Sequence, residues 1–312
     1  MSIYRNALPQ LGQQLFLTDG GLETTLVFHE GIDLPCFAAF GLLEEENGWS
    51  VLANYYRRYA DIAAGSGCGF VLESPTWRAN TDWARKLGYS DRRLAELNRA
   101  SIRFLEELRS EYADRIDPMV ISGNIGPRGD GYIAGEKMRP AEAAEYHRAQ
   151  IAVFATTSAD LVSAVTITYA EEAVGIVREA RDHGMPVVIS FTTETDGRLP
   201  SGQPLGEAIE QVDAETDEAA AYFMVNCAHP DHFRHVLDGE AGWTRRIRGV
   251  RANASRCSHA ELDEATELDA GDPAEFGLLY RQMRSLFPQL SVLGGCCGTD
   301  HRHVSEIRAA VF

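Results

Sequence analysis

Residues 161–191 read LVSAVTITYAEEAVGIVREARDHGMPVVISF, and the fold turns on this stretch. Leu161–Ile167 is a short apolar run rich in β-branched residues, as a strand buried on both faces should be. From Glu171 the chain reads as a helix that ends at Ala180, with Gly184 and Pro186 as stop signals. Val187–Phe191 is then a second apolar strand. Strand, helix and strand in this order make a βα unit of a parallel sheet.

The same alternation continues in both directions. Strand-like runs precede the unit at Leu15–Thr18, Phe70–Glu73 and Val120–Gly123, and follow it at Tyr222–Asn226, Ile247–Ala252 and Ser291–Leu293. Residues 47–66 carry Trp49, Leu52, Tyr56, Tyr59 and Ala63 at helical spacing, and residues 274–287 carry Phe276, Leu279, Tyr280, Met283 and Phe287. Pro140 suits a first helical turn. Asp300 suits the N-cap of a last helix that carries Val304 and Ile307. Eight strands alternating with helices over 312 residues predict a single (β/α)8 TIM-type barrel, one domain spanning residues 1–312. The alternative is a doubly wound open sheet. It would usually show a glycine-rich phosphate turn after an early strand, and no G-x-G-x-x-G occurs.

Composition narrows the partners. The formal net charge is −17, which repels phosphate backbones and anionic lipid surfaces alike. No nucleic acid and no membrane is expected as a partner. No apolar run reaches the roughly 20 residues that span a bilayer. The opening MSIYRNALPQ lacks the basic and apolar regions of a secretion signal, so the cytoplasm is the expected compartment. In that reducing setting the six cysteines are packing residues, metal ligands or nucleophiles rather than a disulfide framework. Oligomeric state is not legible, and Tyr55, Tyr56 and Tyr59 are read as packing on the barrel.

Active sites of such barrels form at the C-terminal ends of the strands. There the sequence places Asp19-Gly20-Gly21, Glu73 with Trp77 beyond it, Asn124, Glu194, Asn226-Cys227, Asn253 and Gly294-Gly295-Cys296-Cys297-Gly298. Cys227, Cys296 and Cys297 thus converge from two strand ends. Three thiolates suit zinc and leave a fourth tetrahedral position open. The glycines let the backbone bend so that adjacent cysteines can aim at one ion. A vicinal redox pair is the competing reading, and His229, His301 and His303 are rival ligands. Cys36, Cys68 and Cys257 are read as small buried hydrophobes. Asp19 with the Gly20 and Gly21 amides can take the ammonium and carboxylate of an amino acid; the same motif also reads as a plain turn. Trp77 is core or a cation–π surface, and Asn226 and Asn253 are site residues or turn formers.

These motifs resemble the homocysteine S-methyltransferase family, the zinc barrels that include betaine– and S-methylmethionine–homocysteine methyltransferases. Gly294-Gly295-Cys296-Cys297-Gly298 matches its GGCC signature, Asn226-Cys227 its upstream NC, and Asp19-Gly20-Gly21-Leu22 its DGG opening. Ser122–Pro127 and Ser190-Phe191-Thr192 resemble two further stretches. The resemblance implies zinc on Cys227, Cys296 and Cys297. It further implies methyl transfer from a small onium donor, S-methylmethionine or betaine, to the thiol of homocysteine, giving methionine. Asp19, Gly20, Gly21, Trp77 and Asn226 would contact substrate. One departure stands out: valine occupies position 165, where relatives carry a glutamate that helps hold the substrate ammonium. Trp77 also stands where relatives often have tyrosine, and Phe37 near a usual tryptophan. Glu73 or Glu194 is the candidate replacement carboxylate. The remaining alternatives are a zinc hydrolase using Glu73 or Glu194 as base, and a zinc- or thiol-binding protein without catalysis.

Overall fold

A computed structural model describes residues 2–312. Eight parallel strands close into a barrel in sequence order. They are β1 (Phe16–Leu17), β2 (Gly69–Glu73), β3 (Met119–Ile125), β4 (Leu161–Ile167), β5 (Val187–Phe191), β6 (Tyr222–Asn226), β7 (Ile247–Ala252) and β8 (Val292–Gly295). β1 pairs with β8 as well as β2, so no edge is left open. Long helices follow seven of the strands: Gly48–Ala64, Asp91–Glu111, Pro140–Ala155, Ala170–Asp182, Leu205–Thr216, Pro273–Leu286 and His301–Val311. After β6 there is only the short helix Pro230–Phe233, continued by 3-10 turns. Among the described residues no helix is long and apolar enough to cross a membrane.

The expected strands are all present: β4, β5, β6 and β7 have the expected bounds, and β1, β2, β3 and β8 have shifted ends. β8 begins one residue later than expected and runs on through Gly294 and Gly295, so Cys296 leaves the strand directly. β3 extends through Asn124 and Ile125, which had been read as loop. The glycines obscure the true end of β8, since glycine signals a break by composition while its small size here permits close packing. A Cβ on Gly294 would collide with the Thr18 hydroxyl. Tyr55, Tyr56 and Tyr59 are fully buried against the barrel, Pro140 opens its helix and Asp300 caps the last one.

The barrel interior changes character along its axis. At the N-terminal end Phe16, Val71, Val120, Leu161, Val188, Tyr222, Met224 and Val292 form one apolar cluster. Two residues further along each strand the inward positions turn polar: Glu73, Ser122, Ser163, Ser190, Asn226 and Arg251, all buried. Period-two alternation carries both sets inward on the same strands. The apolar layer packs the closed end, and the polar layer forms the floor of the open one.

The N-terminal segment plugs the closed end. Leu8 joins the apolar cluster, and Arg5 donates to the carbonyls of Ala155, Thr157 and Ala159. Buried Asp160 accepts from the Ile3 and Tyr4 amides at 2.7 and 2.8 Å, from Arg109 at 2.9 Å and from the Ile121 amide at 3.0 Å. Asp160→Ala leaves three amides and a guanidinium without this acceptor. We expect it to lower unfolding free energy by about 3–5 kcal/mol, measured by urea denaturation. A loss under about 1 kcal/mol, the range of an exposed pair, would contradict this role.

Candidate metal and substrate site

Cys227 follows β6 and Cys296-Cys297 follows β8, and the three sulfurs meet at the open end. Cys227 Sγ lies 2.7 Å from Cys296 Sγ and 3.5 Å from Cys297 Sγ, and all three fall within 4.8 Å of one another. Thiolates on one tetrahedral zinc, with bonds of about 2.3 Å, sit roughly 3.8 Å apart. The three sulfurs therefore converge on one point: the Cys227–Cys297 distance is near that spacing, while Cys227 and Cys296 lie about 1 Å closer and would spread to share an ion. No other such group of His, Cys, Asp or Glu occurs among the described residues. The rival histidines lie elsewhere. His229 caps the Pro230–Phe233 helix through Asp231 N, His303 bonds the Ala270 carbonyl, and His301 is exposed. Of the remaining cysteines only Cys68 is fully buried; Cys36 is exposed, in a loop where its φ is 59°. Its reading as a buried hydrophobe is corrected accordingly.

Cys227 sits in the left-handed region at φ 55°, a strained place for a non-glycine residue. Three side chains hold its carbonyl there: His259 Nε2 at 2.8 Å, Asn253 Nδ2 at 3.1 Å and Thr192 Oγ1 at 3.3 Å. His259 is fixed in turn by Glu194 at 3.2 Å and by a stacked Tyr132 ring at 4.1 Å. The Tyr132 hydroxyl lies 3.7 Å from Cys227 Sγ, and burial together with the three cysteines pushes its pKa well up. Glu194 therefore acts through His259 and does not line the cavity.

Thr166 is a second strained residue, at φ 62°, where the β4–β5 register slips. Asn226 holds it: Oδ1 accepts from Thr166 N at 2.9 Å and Ser190 Oγ at 2.6 Å, and Nδ2 donates to Thr166 Oγ1 at 2.9 Å. The same Nδ2 is 3.8 Å from Cys296 Sγ. These bonds tie β4, β5 and β6 together under the sulfurs.

Below them Arg251 Nη2 lies 2.6 Å from Asp19 Oδ1, and Nη1 lies 3.9 Å from Glu73. Arg251 Nε donates to Gly295 O, and Tyr55 donates to Asp19 Oδ2 at 3.1 Å. Burial raises both carboxyl pKa values, and Arg251 pulls each back. Cys296 is held well below the ordinary thiol range by bonds from Cys227 and Cys297, with Arg251 adding to the effect; the same bond from Cys296 raises Cys227. One thiolate is thus favoured by the protein alone.

The cavity above measures about 460 Å³, the size of a small-molecule site. Asp19, Gly20, Gly21, Trp77, Val165 and Asn226 all line it, with Glu23 and Arg78. A Cβ on Gly21 would come within 2.6 Å of Cys296 O, so glycine lets this turn press against the cysteine loop. The Gly21 amide is already bonded to Thr299 O, and the Asp19 carboxylate to Arg251. Arg78 lies 4.0 Å over the Trp77 ring and takes that face. Glu23 has no side-chain partner, and burial, with Cys296 and Asp19 nearby, pushes its pKa up to about 7.

Sequence reasoning missed Arg251, Glu23, Arg78, Tyr132 and His259. A signal existed for Arg251: of the two arginines in Ile247–Ala252 it is the one that period two places on the inward face with Gly249.

Comparison with known proteins identifies the family and the fold. Residues 16–311 match the family model described as homocysteine S-methyltransferase. The chain is 26% identical to selenocysteine Se-methyltransferase of Brassica oleracea var. italica, over 93% of this chain and 87% of that one. It is 23% identical to homocysteine S-methyltransferase YbgG of Bacillus subtilis, over 95% and 94%. The fold matches the metallated form of the Escherichia coli homocysteine methyltransferase MmuM, with TM-score 0.74 at 18% identity over 97% and 98% of the two chains.

Arg251→Ala strands two buried carboxylates and should cost about 3–5 kcal/mol of stability. Asp19→Asn in the same background should recover part of that loss. Urea denaturation of the single and double variants checks this, and strictly additive losses would mean that the pair is not coupled.

Proposed function

This chain belongs to the homocysteine S-methyltransferase family, and from that premise we propose a zinc-dependent enzyme that methylates homocysteine from a small onium donor. The donor is of the S-methylmethionine or betaine type, and the product is methionine. The reading treats residues 1–312 as one catalytic domain. The observation that carries it is the cluster of Cys227, Cys296 and Cys297 lining the cavity at the open end of the barrel. Three sulfurs are the right donors for zinc, and they leave one tetrahedral position for a substrate sulfur. When bound, zinc supplies the positive charge that keeps a substrate thiol ionised at neutral pH, where a free thiol of pKa about 8.5 is mostly protonated.

The chain's own residues do the positioning. His259, Asn253 and Thr192 fix Cys227, while Asn226 fixes the β4 end beside Cys296. The cavity rim carries Asp130, Asp263 and Glu267 together with Phe28 and Phe37. Acidic and aromatic groups together suit a positively charged donor. An onium donor leaves as a neutral thioether or amine, so no general acid is required. Positioning the methyl group in line with the sulfur is then the main task left to the protein.

Hydrolysis is less well supported. The two glutamates that would serve as base are committed elsewhere, Glu73 toward Arg251 and Glu194 to His259. Three thiolates would also cancel more of the metal's charge than neutral histidines do, leaving a bound water less acidic.

The test pairs metal content with product. The purified protein should carry one zinc and form methionine from homocysteine with S-methylmethionine or betaine. Cys297→Ala should lose the zinc and at least about 100-fold of the activity. A Cys297→Ala protein with full zinc and the native rate would refute the assignment.

A further inference from the structure

The cavity is lined by several carboxylates, and Glu23 differs from the rest. Asp19 and Glu73 share Arg251. Asp130 lies 3.8 Å from Arg78, and Asp269 accepts from Ser255. Asp263 and Glu267 are exposed to water on the rim. Glu23 is half-buried, yet among the described residues it forms no ion pair and no hydrogen bond to another side chain, and only its own backbone amide supports the carboxylate. A carboxylate withdrawn from water without a partner is costly, and the cost falls when a cation docks beside it.

Its place is set by the segment that carries it. The turn at Gly21 presses on the Cys296 carbonyl, and Thr24 Oγ1 accepts from Gly298 N at 3.2 Å. Residues 21–24 are therefore packed directly against the cysteine loop, and Glu23 lines the same cavity as the sulfurs.

Arg78 supplies the opposite charge. It lies between two indoles, 4.0 Å from the Trp77 ring and 3.9 Å from the Trp83 ring, which fixes the guanidinium plane. Nη1 donates to Gly129 O at 2.9 Å, Nη2 lies 3.8 Å from half-exposed Asp130, beyond hydrogen-bond distance, and Nε is buried with no partner. Arg78 and Glu23 sense each other's charge but form no ion pair. Val165, on the end of β4, adds an apolar wall to the cavity and no charge.

We propose that Glu23 and Arg78 clamp the acceptor as an α-amino acid zwitterion, Glu23 receiving its ammonium and Arg78 its carboxylate, while its thiol reaches the cysteines. This rests on the reading of the cavity as a thiol-accepting site. It moves amino-acid recognition away from Asp19 and the Gly21 amide, which are already bonded within the protein. It also makes Glu23 and Arg78 the residues that set acceptor specificity.

Calorimetric binding to the zinc-loaded, full-length protein tests this with three thiols: homocysteine, 4-mercaptobutyrate without the amino group, and 3-aminopropane-1-thiol without the carboxylate. Glu23→Gln should weaken homocysteine and the aminothiol by about 10- to 100-fold. It should leave 4-mercaptobutyrate within about twofold. Arg78→Gln should weaken homocysteine and 4-mercaptobutyrate and spare the aminothiol. Equal losses for all three thiols would show a merely structural role and overturn the clamp. So would no loss for any of them. If the unaltered protein binds none of the three thiols, the acceptor site itself is refuted along with the clamp.

Discussion

A single guanidinium organises the open end of this barrel. Arg251, on β7, reaches across to Asp19 beyond β1, faces Glu73 at the end of β2 and donates to Gly295 at the end of β8. Four strands are thereby tied by one side chain at the level where the interior turns from apolar to polar. Burying three charges is expensive unless they satisfy one another; here Asp19 is bonded to the guanidinium directly and Glu73 faces it at 3.9 Å. The arrangement also lies beneath the sulfurs, where its positive member favours a thiolate at Cys296. What holds the floor of the cavity together thus also biases the chemistry above it.

Above that floor, strain is placed where the sulfurs must be aimed. Cys227 and Thr166 are both non-glycine residues at positive φ, and each is held by side chains from neighbouring strands or loops. Three donors on the Cys227 carbonyl and the amide of Asn226 on Thr166 hold the two strand ends in place. This is pre-organisation in a concrete sense: the ligand cluster is shaped by bonds that do not involve a ligand.

Much of this was legible in the sequence. Short β-branched runs separated by helices specify the barrel, because strands buried on both faces must be apolar and crossovers must be helical. Cys296 and Cys297 beside three glycines marked the metal candidates, since few other roles place thiols at two strand ends. The rest was hidden for physical reasons. Tyr132 lies in the loop after β3 and His259 opens the short helix His259–Glu264 after β7, so nothing in their spacing shows that their rings stack. Glu23 sits in a helical turn two residues beyond Gly21, and only the fold reveals that it lacks a partner. Asp19 looked free because its partner, Arg251, lies more than two hundred residues away in the chain. Family resemblance pointed at the loss of a carboxylate at Val165, but the structure was needed to find the unpaired one at Glu23.

Thiol activation at this site requires three protein sulfurs to share one zinc with a substrate sulfur. X-ray absorption at the zinc edge, recorded with and without homocysteine, reads that directly. The expected result is three sulfurs and one lighter atom in the free protein, changing to four sulfurs at about 2.3 Å when homocysteine is added. A lighter atom that persists at saturating homocysteine would contradict thiol activation and return the site to hydrolysis or simple metal binding.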